Sequence, residues 1–456
     1  MIRFFKKHLI WLTLLLISIF VIKDVIKNKY YEKEDGVIIH DVVSYYSYLP
    51  SFFIYDDLSL MYSDSLDPQL KKDYVWYGID ENGKRFLKYT MGVAYFYAPF
   101  FLIADNYVKL TDWERTGFNM PYKLSVQISS LFFLLLGLYF VSRFLLKYFN
   151  QYTVALCLIS LALATNLYNY SLRDGGMSHV YSFFLYALYI FLIDSWHSKR
   201  ISKYLLLIAP VLALMILVRP THGLAILFLL LWKVDSIKGF SENIKFLFSN
   251  YKIILLSILL ALLVFLPQLV YWKVFTGNWI FYSYSEEGFF FNDPKILEGL
   301  LSFRKGWLIY SPIFIFTCLG LFFKDELFKK LKFVFYIFIL IQLYITFSWW
   351  CWWYGGSFGM RTLIDYSVLF TIPMAVVYEK FTRYKVSSIL LILIISGAAY
   401  LNIFQTRQYK NFVLHYDSMT YESYKFIWGR KKYDAGVEEL LKHPNYPEAM
   451  KGNRCD

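Results

Sequence analysis

Long apolar runs separated by polar connections dominate the sequence. A helix needs roughly 20 residues to cross about 30 Å of hydrocarbon, and eleven runs approach or reach that length. We predict spans near residues 8–24, 124–146, 152–169, 180–196, 204–219, 222–233, 252–272, 307–323, 333–350, 363–379 and 386–403. The sixth run is short and follows a proline-containing break, so the fifth and sixth also fit a broken pair that ends mid-membrane. The pattern predicts an all-α polytopic membrane protein with about eleven transmembrane helices.

Two long connections and a tail interrupt this pattern. Residues 25–123 form the first connection, and its apolar stretch 89–106 is predicted to be a juxtamembrane helix at the outer interface. Counting that stretch as a span would reverse the side of every later connection. The second large connection is 273–306. We therefore divide the chain into a membrane module, 1–404, and a small tail, 405–456.

Every second connection is rich in lysine and arginine, whereas the others hold acidic, aromatic and glycine-rich sequence. The basic groups comprise Arg3, Lys6, Lys7, Arg143, Lys147, Lys199, Arg200, Lys203, Lys233, Lys238, Lys245, Lys252, Lys324, Lys329, Lys330, Lys332, Lys380, Arg383 and Lys385. The positive-inside tendency makes these connections and the N-terminus cytoplasmic, so the other connections and the tail are predicted on the outer side of the cytoplasmic (inner) membrane.

Composition and charge agree with a membrane protein. The sequence is 58% hydrophobic, which excludes a water-soluble class. Its net charge of +13 sits mainly in short juxtamembrane groups, where it suits anionic lipid headgroups and disfavours nucleic acid as a partner. The four cysteines, including Cys455, have no paired spacing, so no disulfide framework, zinc site, other metal or cofactor is predicted. The N-terminal run lacks a small-residue cleavage site and is predicted to remain as an uncleaved span.

Asp41 is the first candidate for chemistry, because it follows the first predicted span closely and is expected near the outer headgroups. The charged form of a carboxylate beside an apolar surface is desolvated, which makes the group a usable proton acceptor. Asp41 in this position also fits a helix cap, with a helix over 42–53. The first interpretation makes Asp41 catalytic, and the second makes it structural.

A second acidic turn is Arg173-Asp174-Gly175-Gly176-Met177-Ser178-His179, between the third and fourth predicted spans. Its glycines permit the backbone to approach a ligand closely. Asp174 and His179 are near enough in sequence to orient or share a proton. The alternative is an ordinary Asp-Gly turn with His179 at the start of the next helix.

Several basic residues lie on connections that are predicted to be outside. Arg219 ends an apolar run, where an unpaired guanidinium is unfavourable, and it fits a carboxylate partner, an interface position or a phosphate contact. Arg304, Lys305 and Arg361 present the same alternatives. Each alone fits an interface anchor, but together they predict a site for an anionic headgroup.

Aromatic residues are concentrated in the same outer connections. Four tryptophans within 349–353 fit an aromatic belt at the interface or a stacking surface for a sugar. The connection 273–306 mixes acidic and aromatic residues, and it fits either a lid that rests on the bundle or an ordinary solvated loop.

The layout resembles the GT-C glycosyltransferase superfamily, multi-span enzymes that use polyprenyl-phosphate sugars and include the ArnT-like and protein O-mannosyltransferase branches. Members carry an essential aspartate in the first outer loop, typically followed by a tyrosine four residues on, which Asp41 and Tyr45 match. A Lys/His-Pro-Pro-Leu-Gly-like element then precedes an apolar helix, and Lys88-Tyr89-Thr90-Met91-Gly92 occupies that place.

Further elements extend the resemblance along nearly the whole chain. They are the second outer carboxylate, matched by Asp174, the Arg-Pro-Thr turn at 219–221, the large outer loop, and the Gly-Gly-Ser-Phe-Gly-x-Arg element at 355–361. The adjacent acidic pair of several branches is absent, because His40 and Val42 flank Asp41, and the double proline is missing. These departures leave the branch, the donor and the acceptor open.

The resemblance implies an inverting glycosyltransferase that moves a sugar from a polyprenyl-phosphate donor to a hydroxyl of a lipid, glycan or protein at the outer membrane face. Asp41 would be the general base, and Asp174 would position the acceptor or the base. The implied substrate-binding residues are Tyr45, Lys88, His179, Arg219, Arg304, Lys305 and Arg361, with no metal assigned.

Two other classes remain open. A glycan transferase of the O-antigen-ligase or polymerase type would rely on arginines more than on an aspartate in the first loop. A transporter or flippase of lipid-linked sugars would also need outward basic groups, but such proteins usually contain paired repeats, which this sequence lacks.

Overall fold

A computed structural model describes residues 2–33 and 36–454, with side chains described from residue 8 onward. The basic side chains at 3, 6 and 7 and the cysteine at 455, which the sequence analysis used, therefore lie outside the described residues. The described chain is almost entirely helical. Its two short strands, Gly78–Ile79 and Arg85–Phe86, pair antiparallel in one hairpin.

Among the described residues, six helices are long and apolar enough to cross a membrane, which is the pattern of a multi-pass membrane protein. Their candidate spans are His8–Glu32, Met120–Leu145, Ser178–Lys199, Tyr251–Thr276, Glu326–Ser348 and Lys385–Lys410. Each coincides with a predicted span. The helix Ser178–Lys199 is the most enclosed, with 89% of its apolar window buried, whereas Tyr251–Thr276 has 11% buried and offers leucines to lipid.

The other five predicted spans are shorter or interrupted, so the count of eleven is not confirmed. The segments that replace them are Gln151–Leu163 with Leu167–Leu172, Ser202–Val218, Pro220–Ala225 with Ile226–Leu231, Trp307–Tyr310 with Pro312–Phe314 and Ile315–Gly320, and Arg361–Ile364 with Ser367–Phe381. Polar residues at the breaks hydrogen-bond to one another inside the protein. The backbone amide of Asn166 donates to Ser311 Oγ at 3.1 Å, and the side-chain nitrogen Asn166 Nδ2 donates to the Met360 carbonyl at 3.2 Å.

The connections and the tail also contain helices. The first connection has Tyr30–Glu32, Asp41–Tyr46, Tyr48–Phe53, Met61–Asp64, Pro68–Tyr74 and Ala94–Lys109, and the last of these occupies the stretch that was predicted as a juxtamembrane helix. Later connections contain Ile237–Ser249 and Ile296–Leu301. The tail contains Tyr421–Phe426, Ala435–Leu440 and Tyr446–Met450.

Residues of the basic connections and of the other connections contact opposite ends of the most enclosed helix, Ser178–Lys199. At its C-terminal end, buried Asp194 accepts from Lys147 Nζ at 2.9 Å and from Lys233 Nζ at 2.7 Å, two lysines of the predicted cytoplasmic set. At its N-terminal end, Ser178 contacts Arg219 of the predicted outer set. Ser178 and Asp194 are roughly 24 Å apart along the helix. At this helix, two lysines of the predicted cytoplasmic set and an arginine of the predicted outer set therefore lie at opposite ends.

Candidate active site

Two adjoining cavities collect most of the predicted site residues. The larger has a volume of about 790 Å³, and its walls include Asp174. The smaller has a volume of about 360 Å³, and Tyr45, Lys88 and Arg219 contribute to its walls. Asp41, Gly355 and Arg361 line both cavities. A carboxylate and a guanidinium thus stand at the boundary between the two cavities.

Asp41 and Arg361 form an ion pair across the fold. Asp41 is the first residue of the helix Asp41–Tyr46, and its carboxylate oxygen Oδ2 accepts from Arg361 Nη1 at 3.1 Å. The side chains are 20% and 13% exposed, so each retains access to the cavities. Arg361 Nε is buried and has no hydrogen-bond partner among the described residues. One donor of the guanidinium is therefore unsatisfied among the described residues.

This ion pair corrects the expected chemistry of Asp41. Desolvation was expected to make the carboxylate a proton acceptor, and burial does favour the neutral acid. However, the positive charge of Arg361 and a hydrogen bond from Tyr89 outweigh burial and hold the pKa of Asp41 below its ordinary value. Asp41 is therefore ionised at neutral pH, and it is a weaker base while Arg361 is its partner.

A buried polar network lies behind Arg219 and centres on Asp365, which the sequence analysis missed. Arg219 Nε lies 3.3 Å from Ser178 Oγ and 3.5 Å from Asp365 Oδ2. His179 Nδ1 lies 2.9 Å from Asp365 Oδ1, and His222 Nε2 lies 3.2 Å from Asp365 Oδ2. An aspartate inside the run predicted as the span 363–379 was itself a signal, because an ionisable residue in an apolar run usually has a partner or a function.

His179 consequently pairs with a carboxylate other than the expected one. Asp174 accepts instead from Asn169 Nδ2 at 2.7 Å and lies 3.9 Å from Arg173 Nη1. The Asp-Gly-Gly turn has a packing purpose: a Cβ on Gly176 would stand 2.5 Å from Val42 Cγ1, one residue after Asp41. The glycines bring this turn against the Asp41 helix, which places Asp174 and Asp41 around one cavity.

Lys88 lies in an aromatic cage at the edge of the smaller cavity. Its ammonium pairs with Glu287 and lies 5.2 Å from the centre of the Tyr284 ring. Glu287 also accepts from Trp350 Nε1 at 3.1 Å. Tyr45 and Tyr89 stack beside them with ring centroids 4.6 Å apart. This cage combines a cation with flat ring faces, a surface suited to a phosphate next to a sugar.

The large outer connection packs on the bundle rather than extending into solvent. The amide of Phe290 donates to the Ser348 carbonyl at 2.6 Å, and the amide of Trp350 donates to the Gly288 carbonyl at 3.0 Å. Trp349 and Trp350 line the smaller cavity, whereas Trp352 and Trp353 are fully buried and line neither. Of the four tryptophans, only the first two face the space in which a sugar would stack.

Arg304 and Lys305 do not line either cavity. Arg304 Nη1 donates to the Asp417 carbonyl, and Lys305 Nζ donates to the Ser357 carbonyl at 2.5 Å and to the Tyr416 carbonyl. Burial lowers the pKa of Lys305, which weakens it further as a cationic ligand. These residues fasten the 355–361 segment to the tail, so the structure does not bring them to the site with the other predicted cations.

The turn at Tyr354 and Gly355, where the two cavities meet, has a strained backbone. Tyr354 has φ of +56° and Gly355 has φ of +63°, and a Cβ at Gly355 would meet open space. A non-glycine residue in the left-handed region is uncommon and is often found at functional sites. The turn exposes the backbone of Gly355 to both cavities, at the point where Asp41 and Arg361 also meet them.

One group of three metal-ligand side chains occurs among the described residues, and it lies in the tail: His415, Asp417 and His443. Asp41 and Asp174 are not part of that group. No family model matches the chain, and no curated protein matches it. The function is therefore argued from the site itself.

Proposed function

We propose that the chain is an inverting glycosyltransferase of the GT-C type, which moves a sugar from a polyprenyl-phosphate donor to a hydroxyl of a lipid, glycan or protein at the outer face of the cytoplasmic membrane. The observation that carries the proposal is the Asp41–Arg361 pair at the boundary of two cavities. A transferase with two substrates needs a base on one side of that boundary and a phosphate contact on the other.

The smaller cavity suits the donor. Arg219, Arg361 and Lys88 supply positive charge to its walls, and Trp349 and Tyr284 supply flat aromatic faces. Arginine binds phosphate through two parallel donors, and Arg361 has an unpartnered Nε for this purpose. We assign the phosphate to the guanidinium groups and the pyranose to the aromatic walls.

The larger cavity suits the acceptor. Asp174 and Asp41 supply carboxylates to its walls, and its volume of about 790 Å³ has room for a sugar or a peptide side chain. A carboxylate such as Asp174 orients an acceptor by accepting hydrogen bonds from its other hydroxyl groups. This assignment gives the two aspartates separate tasks, with Asp174 as a positioning group and Asp41 as the base.

In the proposed step the acceptor oxygen attacks the anomeric carbon and passes its proton to Asp41. The new bond joins the acceptor oxygen to that carbon, and the bond between the carbon and the phosphate oxygen breaks. Its electron pair leaves with the polyprenyl phosphate, whose growing charge Arg361 and Arg219 stabilise. Attack from the side opposite the leaving group inverts the anomeric configuration.

Arg361 gives this step an order of events. While the guanidinium pairs with Asp41, it weakens that base. A donor phosphate competes for the same guanidinium, and drawing it away leaves Asp41 in a buried site where desolvation favours protonation. Under this proposal Asp41 becomes a stronger base only after the donor has bound, which protects an empty site from unproductive proton uptake.

The test compares three purified proteins in detergent or nanodiscs: wild type, Asp41→Asn and the surface control Asp112→Asn. Mass spectrometry of envelope glycans from cells with and without the gene first identifies the sugar and acceptor. We expect Asp41→Asn to bind polyprenyl phosphate at least as tightly as wild type, because Arg361 loses the carboxylate that competes with the phosphate, but to lose transfer. Asp112→Asn should retain wild-type binding and transfer. Full turnover by Asp41→Asn would overturn the role of Asp41.

A ligase acting on lipid diphosphate is the second candidate, because two arginines line the smaller cavity. That enzyme needs Arg219 and Arg361 but not a base at position 41. Loss of transfer in Arg361→Ala with full transfer in Asp41→Asn would favour the ligase.

A further inference from the structure

The tail brings three metal-ligand side chains together from two separate segments. His415 and Asp417 lie before the helix Tyr421–Phe426, and His443 lies between Ala435–Leu440 and Tyr446–Met450. One ligand atom from each of the three lies within 4.8 Å of the others. No compact sequence motif joins them, which is why the sequence analysis predicted no metal.

The backbone holds the two segments together without help from these side chains. The Lys442 amide donates to the Ser418 carbonyl at 2.9 Å, next to His443 on one side and Asp417 on the other. Thr420 Oγ1 donates to the Leu440 carbonyl at 2.7 Å. The fold therefore holds the two segments that carry the ligands next to each other, and a binding ion would have to adjust only the side chains.

Supporting hydrogen bonds orient the carboxylate of Asp417, one of the three ligand residues. Tyr446 Oη donates to Asp417 Oδ2 at 2.6 Å, and Ser418 Oγ donates to Asp417 Oδ1 at 2.7 Å. Ser418 Oγ also lies 2.9 Å from His443 Nδ1, so a single hydroxyl contacts two of the three residues. Partners of this kind orient ligands in known metal sites and raise their affinity.

We propose that His415, Asp417 and His443 bind a divalent transition-metal ion, and that Zn²⁺ fits them best. Two imidazoles and one carboxylate suit zinc, which takes nitrogen and oxygen ligands at about 2.0–2.2 Å and places them about 3.4 Å apart in a tetrahedron. The three ligand atoms need to move modestly closer together to reach that spacing. His443 is exposed and contacts Ser418 Oγ at 2.9 Å, so a small rotation of its imidazole is enough to reach the ion, and water completes the fourth position.

Metal binding would stabilise part of the wall of the larger cavity. Tyr416 lies between His415 and Asp417 and lines that cavity. Its carbonyl already accepts from the amide of Ser357 at 3.1 Å and from Lys305 Nζ. An ion that joins His415 to His443 would hold together the two tail segments, the first of which contacts the 355–361 segment through Tyr416. Arg304 Nη1 and Lys305 Nζ donate to backbone carbonyls in this region.

The experiment measures zinc binding by the full-length protein in detergent, independently of any transferase activity. Wild type, His443→Ala, Asp417→Asn and the control His8→Ala are stripped with chelator, loaded with Zn²⁺ and desalted. Metal content and a zinc titration are then measured. We expect one Zn²⁺ per chain in wild type and in His8→Ala. His443→Ala should weaken zinc binding by at least about 100-fold, because loss of a direct ligand exceeds loss of a supporting hydrogen bond.

Two further measurements separate a metal site from a folding effect. Because His443 is exposed, His443→Ala should melt like metal-free wild type and should not gain stability on addition of Zn²⁺, whereas wild type should gain it. Co²⁺ bound in place of Zn²⁺ should show tetrahedral visible absorption in wild type only. The proposal is overturned if wild type binds no zinc, or if His443→Ala binds it as tightly as wild type.

Discussion

The Asp41–Arg361 pair allows a quantitative test of how the site is held in its resting state. The shortest contact between the two groups is 3.1 Å and both are largely shielded from solvent. Charge centres about 4 Å apart attract by about 4 kcal/mol at an effective dielectric constant near 20, which is an upper bound on the net coupling. We therefore expect a coupling free energy of about 2–4 kcal/mol between the two side chains.

A double-mutant cycle measures this coupling directly. The variants Asp41→Asn, Arg361→Gln and the double variant are unfolded in mixed micelles of SDS, and the free energy of unfolding is compared with wild type. Arg361→Gln should be the most destabilised, because it leaves a buried carboxylate without its counter-charge. The exposed pair Arg430 and Asp434 provides the control cycle, with an expected coupling below about 0.5 kcal/mol.

The pH dependence of the same cycle has a defined sign. Because Arg361 holds the pKa of Asp41 below its ordinary value, the ionised carboxylate stabilises wild type at neutral pH, and this stability is lost as pH falls through the folded-state pKa. In Arg361→Gln the strongest of the influences that lower the pKa of Asp41 is removed, while Tyr89, Lys88 and Arg219 remain, so the pKa of Asp41 rises and its protonation relieves that variant as pH falls. The stability gap between the two proteins should narrow from pH 7 to pH 4. A gap that is constant with pH, or a coupling near zero, would refute the ion-pair account.

Three further predictions concern packing, donor binding and the opposite end of the bundle. Gly176→Ala should lower the free energy of unfolding by about 1–3 kcal/mol and reduce transfer, because its Cβ would stand 2.5 Å from Val42 Cγ1; urea or SDS unfolding and activity assays measure both. Lys88→Gln should weaken polyprenyl-phosphate binding by about 10-fold or more without a matching fall in kcat, which tryptophan quenching and kinetics test; unchanged affinity would remove Lys88 from the donor site. Asp194→Asn should destabilise the protein by about 3 kcal/mol and leave donor affinity unchanged, because its two lysine partners lose their counter-charge far from the cavities.

The sequence predicted the fold where hydrophobicity alone decides it. The long apolar runs became the long helices, since only a helix satisfies its own backbone in hydrocarbon. The short and broken segments were harder, because their ends depend on contacts such as Asn166 with Ser311, which join residues far apart in the chain. The number of spans therefore did not follow from run length.

The candidate site was likewise predictable from the sequence only in part. Asp41, Arg219 and Arg361, all on connections predicted to share one side, line the adjoining cavities. Their partners were not predictable: Asp365 was hidden within an apolar run, and Lys305 turned toward backbone carbonyls instead of a ligand. The membrane side of a connection is predicted from charges that are close in sequence. The hydrogen-bond and ion-pair partners of a residue depend instead on how distant segments pack.

The most direct test of the central claim is the anomeric configuration of the product. Purified wild type is given the polyprenyl-phosphate sugar and the acceptor that glycan analysis has identified, and NMR spectroscopy compares the anomeric centre before and after transfer. The proposed displacement by an acceptor deprotonated by Asp41 predicts inversion, with no product from Asp41→Asn. Retention of configuration, or product formation by Asp41→Asn at the wild-type rate, would contradict it.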